Sequence, residues 1–239
     1  MKKIFYLFLI SVVLVSCQKE LTYGTGNPTV VVDTTGGTGS NGNTTSDCKA
    51  CSYFPTCNGS RYTYNDTLMG GTPTVLVDTL KFVKDTLIQG RSFQKIFSPA
   101  TQTTSFYNCT NGATTVNAYN ALLVSGNTLS AISVVPIRAN TAVNGTWNDT
   151  ITNPAGQQVI YTYTMKAKGI THVINGVTFN DVLYITCEIG ITVPGFGTII
   201  TNNSNYYFAK GVGLIDSENL DFMTGMQLNR RTVKSYYIP

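Results

Sequence analysis

Charge is scarce in this sequence: Asp, Glu, Lys and Arg make up 12% of its 239 residues, about half the share of an ordinary soluble domain. Solubility therefore has to rest on Thr, Asn, Ser, Gly and Tyr, residues that favour strands and turns over helices. No basic cluster is dense enough to follow a phosphate backbone, which excludes nucleic acid as a partner. Histidine occurs once, at His172. A Ser-His-Asp triad would have to use it, yet no Gly-x-Ser-x-Gly elbow exists. His172 stands in the strand-like run Ile170-Thr171-His172-Val173-Ile174, where an ordinary sheet-face role is expected. The twelve acids are scattered singly, with no pair suited to glycoside hydrolysis, no Asp-x-Asp-x-Asp calcium loop and no Gly-Lys-Ser/Thr phosphate cradle. The reading is a protein that is not an enzyme and uses neither metal nor cofactor. Long apolar runs are missing too. The longest falls short of the roughly 20 residues that a spanning helix needs.

That longest run opens the chain. Lys2 and Lys3 precede Ile4–Val15, which only Ser11 interrupts, the layout of a positive n-region and a secretory h-region. It ends in Leu14-Val15-Ser16-Cys17, the order of a lipobox, with Val15 where Ala or Ser is commoner. Residues 1–16 are thus expected to be cleaved and Cys17 to be lipidated. Three acyl chains, at about 0.8 kcal/mol per buried CH₂, hold a protein firmly. Cleavage removes Lys2 and Lys3 and no acid, so the net charge falls from +4 to +2. The expected address is the cell envelope, lipid-anchored at the outer membrane. Gln18-Lys19-Glu20, with its single acid, leaves the periplasmic and surface faces equally open.

Residues 17–47 read as a lipidated terminus and a disordered Gly/Thr/Asn tether, because Thr34–Ser46 offers no side chain able to build a core. Thr29-Val30-Val31-Val32 has strand composition, but in isolation it is expected to stay merely extended. Residues 48–239 are read as one β domain. Period-two alternation recurs there: Tyr62 and Tyr64 alternate with Arg61 and Thr63, and Leu183, Ile185, Cys187 and Ile189 share one face of their run. Gly70-Gly71, Asn111-Gly112, Gly126-Asn127 and above all Asn175-Gly176 mark tight turns. No window makes a capped amphipathic helix; Asp216–Met226 comes nearest and Gly225 breaks it.

Two similar halves, 58–140 and 141–239, are suggested by paired segments. Asn65-Asp66-Thr67-Leu68 matches Asn148-Asp149-Thr150-Ile151, each after an aromatic, Tyr64 or Trp147. Gly90-Arg91-Ser92-Phe93 matches Gly176-Val177-Thr178-Phe179, and Ser105-Phe106-Tyr107-Asn108 matches Asn205-Tyr206-Tyr207-Phe208. The fold expected is all-β, a curved antiparallel sheet or a sandwich. Asp-Thr followed by Thr or an apolar residue recurs at Asp33, Asp66, Asp78, Asp85 and Asp149. This resembles an O-glycosylation acceptor, although Asp-Thr is also common in polar turns.

Besides Cys17 there are five cysteines. Cys187 falls on an apolar strand face and is expected to be a buried free thiol. Cys48, Cys51, Cys57 and Cys109 are the disulfide candidates, with three pairings open. Free thiols, or a Cys₄ metal site built on Cys48-x₂-Cys51, are the lesser alternatives.

The run Asn205-Tyr206-Tyr207-Phe208-Ala209-Lys210-Gly211-Val212-Gly213-Leu214-Ile215 and the segment Cys48–Pro55 with Gly59–Tyr64 resemble envelope lipoproteins of Bacteroidota that have no assigned activity. The resemblance implies a lipid-anchored protein with a half-barrel antiparallel sheet, and it transfers no catalytic residue. The run itself reads as a strand that turns sharply at Gly211 and Gly213. Two functions are then compatible with the sequence. One is a binding module whose concave face takes a lipid or other apolar ligand. The other is an interaction protein that binds glycan or protein partners through exposed Tyr and Trp147.

Overall fold

A computed structural model describes residues 31–32 and 51–239, apart from 56, 69–73, 89–90, 101–102, 111, 120–130, 153–156 and 194. Cys17, Cys48, the Asp33-Thr34-Thr35 segment and the turns Gly70-Gly71 and Gly126-Asn127 lie outside the described residues.

Alternating, β-rich composition gives strands throughout, and no helix occurs among the described residues. The strands are β1 (Val31–Val32), β2 (Arg61–Leu68), β3 (Thr74–Ile88), β4 (Arg91–Ser98), β5 (Thr103–Thr110), β6 (Ala113–Tyr119) and β7 (Ala131–Arg138). After these come β8 (Thr146–Thr152), β9 (Gln158–Ile174), β10 (Val177–Val193), β11 (Gly197–Ala209), β12 (Gly213–Asp221) and β13 (Gln227–Tyr237). They form one sheet in the order β7-β6-β5-β4-β3-β2-β13-β12-β11-β10-β9-β8. Each neighbouring pair is antiparallel, so β2–β7 and β8–β13 are two successive six-stranded meanders joined where β2 lies against β13. The paired segments noted in the sequence fall on β2 and β8, β4 and β10, and β5 and β11, six strands apart each time.

Among the described residues the sheet curls almost completely round, further than a half-barrel, and no second layer forms a sandwich. Its two end strands, β7 and β8, meet through side chains. The Trp147 indole N–H donates to the Val135 carbonyl at 2.7 Å, and the Val135 N–H donates to Asp149 Oδ2 at 2.6 Å. A sheet edge offers unpaired backbone groups that need partners, and Trp147 and Asp149 supply them for β7. Trp147 is 6% exposed and stacks on Tyr163 at 5.4 Å. It is therefore a seam residue, and the sequence-based expectation of an exposed Trp147 that binds partners is corrected.

The core fills the interior of the curl. Tyr62 and Tyr64 from β2, Leu183, Ile185 and Cys187 from β10, Met165 from β9 and Val233 from β13 are all buried, as the period-two pattern requires. Phe54, from the turn before β2, stacks on Tyr107 at 4.8 Å. This leading segment is held at one end of the curl by Gly211 N–H donating to Ser52 O and by Tyr53 Oη donating to Asp181 Oδ1 at 2.7 Å. Val31–Val32 is not an isolated extended stretch. It pairs in parallel with Ser235 and Tyr236 of β13.

Two local devices shape the site. Asn175 and Gly176 take φ of 50° and 80°, the left-handed pair that a two-residue hairpin turn demands. Farther down the same hairpin, register shifts at Phe179/Val182 and Val182/Tyr184, with Asp181 at φ 52°, interrupt the β9–β10 ladder. Bulges bend strands, and here the bend folds the hairpin tip back over the sheet. His172 of β9 thereby reaches Asp216 of β12, three strands away in the sheet order.

Candidate functional site

Successive residues of a strand face opposite sides of a sheet, and β13 uses this at Arg230 and Arg231. Arg231 points into the curl. Its Nε and Nη2 donate to Asp66 Oδ1 and Oδ2 at 2.6 Å each, and Nη2 also approaches Asp78 Oδ2 at 3.3 Å. Its guanidinium lies 5.0 Å from the Tyr64 ring centre. Ser98 Oγ donates to the second Asp78 oxygen at 2.7 Å. Cross-strand register sets this up, because Arg231 faces Asp66 and Tyr64 faces Asp78. Asp78 is 2% exposed, and a carboxylate buried to that depth requires such partners.

Burial, the largest influence on Arg231, opposes its charge. The hydrogen bonds and field of Asp66, helped by Tyr64 and Asp78, outweigh burial and push its pKa above the ordinary arginine value. Burial raises the Tyr64 and Tyr107 phenols, with Arg231 partly opposing in each case. Next to this network is a cavity of about 280 Å³ lined by Asp78, Leu80, Ile96, Ser98, Ser105, Tyr107 and Arg231. Its wall is contributed by β13, β3, β4 and β5. It presents a carboxylate, a guanidinium, two hydroxyls and an aromatic ring to one space.

On the other side of β13, Arg230 donates from Nε and Nη2 to Asp216 Oδ1 and Oδ2 at 3.0 and 2.8 Å. His172 Nε2 lies 3.0 Å from Asp216 Oδ2, and its ring stacks on Tyr207 at 4.0 Å, which in turn stacks on Tyr184 at 4.7 Å. Both oxygens of the buried Asp216 are thus engaged, and the carboxylate ties the hairpin tip to the sheet. The sequence reading of His172 as a plain sheet-face residue missed this role. The partner stands 44 positions later in the chain, and nothing in the local sequence announces it.

Cys51 and Cys109 form a disulfide with Cα atoms 5.7 Å apart, which fastens the leading segment to β5. Cys57 is also disulfide-bonded, and Cys187 is a buried free thiol. Among the described residues no group of three His, Cys, Asp or Glu side chains is placed to hold a metal ion. Of the Asp-Thr sites, Asp66-Thr67, Asp78-Thr79 and Asp149-Thr150 lie inside strands rather than in turns. Their aspartates serve the cavity network and the seam.

The buried phenols and thiol make the fold sensitive to alkali. Burial pushes Cys187 from 9.0 to about 12, and Tyr206 and Tyr207 from 10.0 to about 12. These groups ionise at lower pH in the unfolded chain than in the folded one. The stability they contribute is therefore complete below pH 9 and lost as pH rises from 9 to 12. Urea midpoints measured at intervals from pH 8 to 12 are expected to fall steeply across that window (about pH 9–12). Cys187 is expected to stay unreactive to thiol reagents until the fold opens.

No family model matches the chain, and no curated protein matches it. Among solved structures, the chain is similar to a candidate lipoprotein of Parabacteroides distasonis, with 13% identity and a TM-score of 0.48 over 77% of this chain and 98% of that one. It is also similar to a candidate exported protein with a YmcC-like fold from Bacteroides fragilis, with 11% identity and a TM-score of 0.47 over the same 77% and 98%.

Proposed function

We propose that the chain is a non-enzymatic envelope lipoprotein, held at the membrane by acyl chains on Cys17, whose interior cavity receives a small hydroxyl-bearing ligand of the sugar class. The lipobox and the positive, apolar segment before it support the anchor. The cavity wall supports the ligand. Asp78 and Arg231 offer an acceptor and a donor side by side, Ser98 and Ser105 add hydroxyls, and Tyr107 adds a ring that also lines the space. Adjacent hydroxyls on a sugar ring complement such an acceptor–donor pair. A few fixed polar groups in a concave site are what give orientation and specificity.

The same wall argues against an acyl chain. Burying hydrocarbon against Asp78 and Arg231 would desolvate charged groups without giving them hydrogen bonds. The volume, about 280 Å³, lies at the lower limit of small-molecule sites, roughly 300–1,000 Å³. It suits one ring better than a lipid tail. The observation that carries this reading is the charged pair at the cavity wall.

Saturation-transfer NMR with a panel of free monosaccharides and with palmitate tests it. At least one sugar is expected to bind, and Asp78→Asn or Ser98→Ala is expected to weaken it by about tenfold, the loss of one charge-assisted hydrogen bond. Palmitate binding that these substitutions leave unchanged, with no sugar bound, would overturn the proposal.

A further inference from the structure

Charge around the interior cavity does not balance. Among the described residues, Asp78 and Arg231 are the charged groups that line it, while Asp66 binds Arg231 without lining the space. Two carboxylates thus share one guanidinium, and they share it unequally. Asp66 takes the parallel bonds from Nε and Nη2 at 2.6 Å each, the strong bidentate geometry. Asp78 is left with one longer contact to Nη2 at 3.3 Å and with the Ser98 hydroxyl at 2.7 Å. The positive charge of Arg231 is therefore largely spent on Asp66, and the unpaired negative charge rests on Asp78.

Bulk water gives Asp78 little relief. It is 2% exposed, whereas Asp66 keeps 20% of its side chain accessible. An ionised carboxylate offers about four acceptor sites, and at Asp78 Ser98 and Arg231 fill two of them. Leu80 and Ile96 make the neighbouring wall apolar, which weakens screening there. A buried charge in such surroundings requires a compensating partner. The cavity is where that partner can sit, because Asp78 forms part of its wall.

We infer that the ligand of this cavity carries a protonated amine set against Asp78, which narrows the sugar class to amino sugars. The inference rests on the proposed sugar site and adds the charge that its occupant must bring. A bare divalent ion is a poorer complement, since among the described residues no three His, Cys, Asp or Glu side chains are placed to hold one. An ammonium group supplies three N–H donors of its own for the open acceptor sites of Asp78. It is also attracted to an aromatic face, and the Tyr107 ring shares the same wall. The ring hydroxyls are left to meet Ser98 and Ser105.

The full chain, purified in detergent micelles, is titrated by calorimetry with glucosamine, glucose, N-acetylglucosamine and cyclohexylamine, at slightly acidic pH so that both amines are charged. Glucosamine is expected to bind at least about tenfold tighter than the two neutral sugars, the scale of one hydrogen bond to a charged group. Asp66→Asn probes the charge without touching the ligand, because Asp66 does not line the cavity. It frees the Arg231 charge for Asp78, so the preference for glucosamine is expected to vanish while glucose binding persists. Should Asp66→Asn not fold, the ranking on the wild-type protein still decides. Glucose or N-acetylglucosamine binding as tightly as glucosamine overturns the inference and leaves the sugar site standing. A preference that survives Asp66→Asn overturns it as well. Cyclohexylamine binding as tightly as glucosamine, with neither neutral sugar bound, upholds the amine and overturns the sugar. Binding by none of the four overturns both.

Discussion

A Cys17→Ser protein is expected to take up no labelled palmitate and to keep residues 1–16 uncleaved. The effect should be close to complete, because the diacylglyceryl group is carried on the sulfur through a thioether bond, and a serine hydroxyl at the same position does not accept it. Three chains at about 0.8 kcal/mol per buried CH₂ give a retention that no surface attraction of the folded domain can match. Palmitate in the Cys17→Ser product, or normal removal of its residues 1–16, would remove the basis for an envelope address.

Arg231→Met is expected to destabilise the fold by about 3–5 kcal/mol, the cost of breaking a buried ion pair by removing one partner. Asp66 and Asp78 are 20% and 2% exposed in their side chains, and both lose their cation at once. Ser98 still serves one Asp78 oxygen, but the other would have no donor from Arg231. For a domain of this size the melting temperature should drop by roughly 10 °C. The triple variant Asp66→Asn/Asp78→Asn/Arg231→Met removes the orphaned charges along with the arginine, so it should recover most of the loss. Urea unfolding of the single and triple variants decides the matter. Equal stability of Arg231→Met and the wild-type protein would mean that solvent, rather than Arg231, satisfies the two carboxylates.

Much of the architecture was legible in the residues because strand patterning is local. Tyr62 and Tyr64 against Arg61 and Thr63, and Leu183, Ile185 and Cys187 on one face, announce which side is buried before any partner strand is known. Asn175-Gly176 specifies its turn because few other dipeptides tolerate two positive φ values. Cys187 could be read as buried from its strand neighbours. His172, Trp147 and the Asp-Thr pairs were read less well. Each of these residues acts on a strand that its own segment does not identify: Trp147 on the end strand β7, His172 on Asp216 across the folded hairpin, Asp66 on an arginine 165 positions away. The cavity shares that property, since its wall is drawn from four strands.

From the sequence alone follow the expectation of a signal segment with a lipidation cysteine, the all-β class, the faces of individual strands and the tight turn at Asn175-Gly176. These depend on the chemistry of adjacent residues and on a period of two. Tertiary structure alone decided that the sheet would curl until β7 meets β8 and that Arg231 would hold Asp66 and Asp78 beside an open space. Strand order, register and curvature bring residues together from distant parts of the chain, and a one-residue change in register would send every one of those side chains to the opposite face.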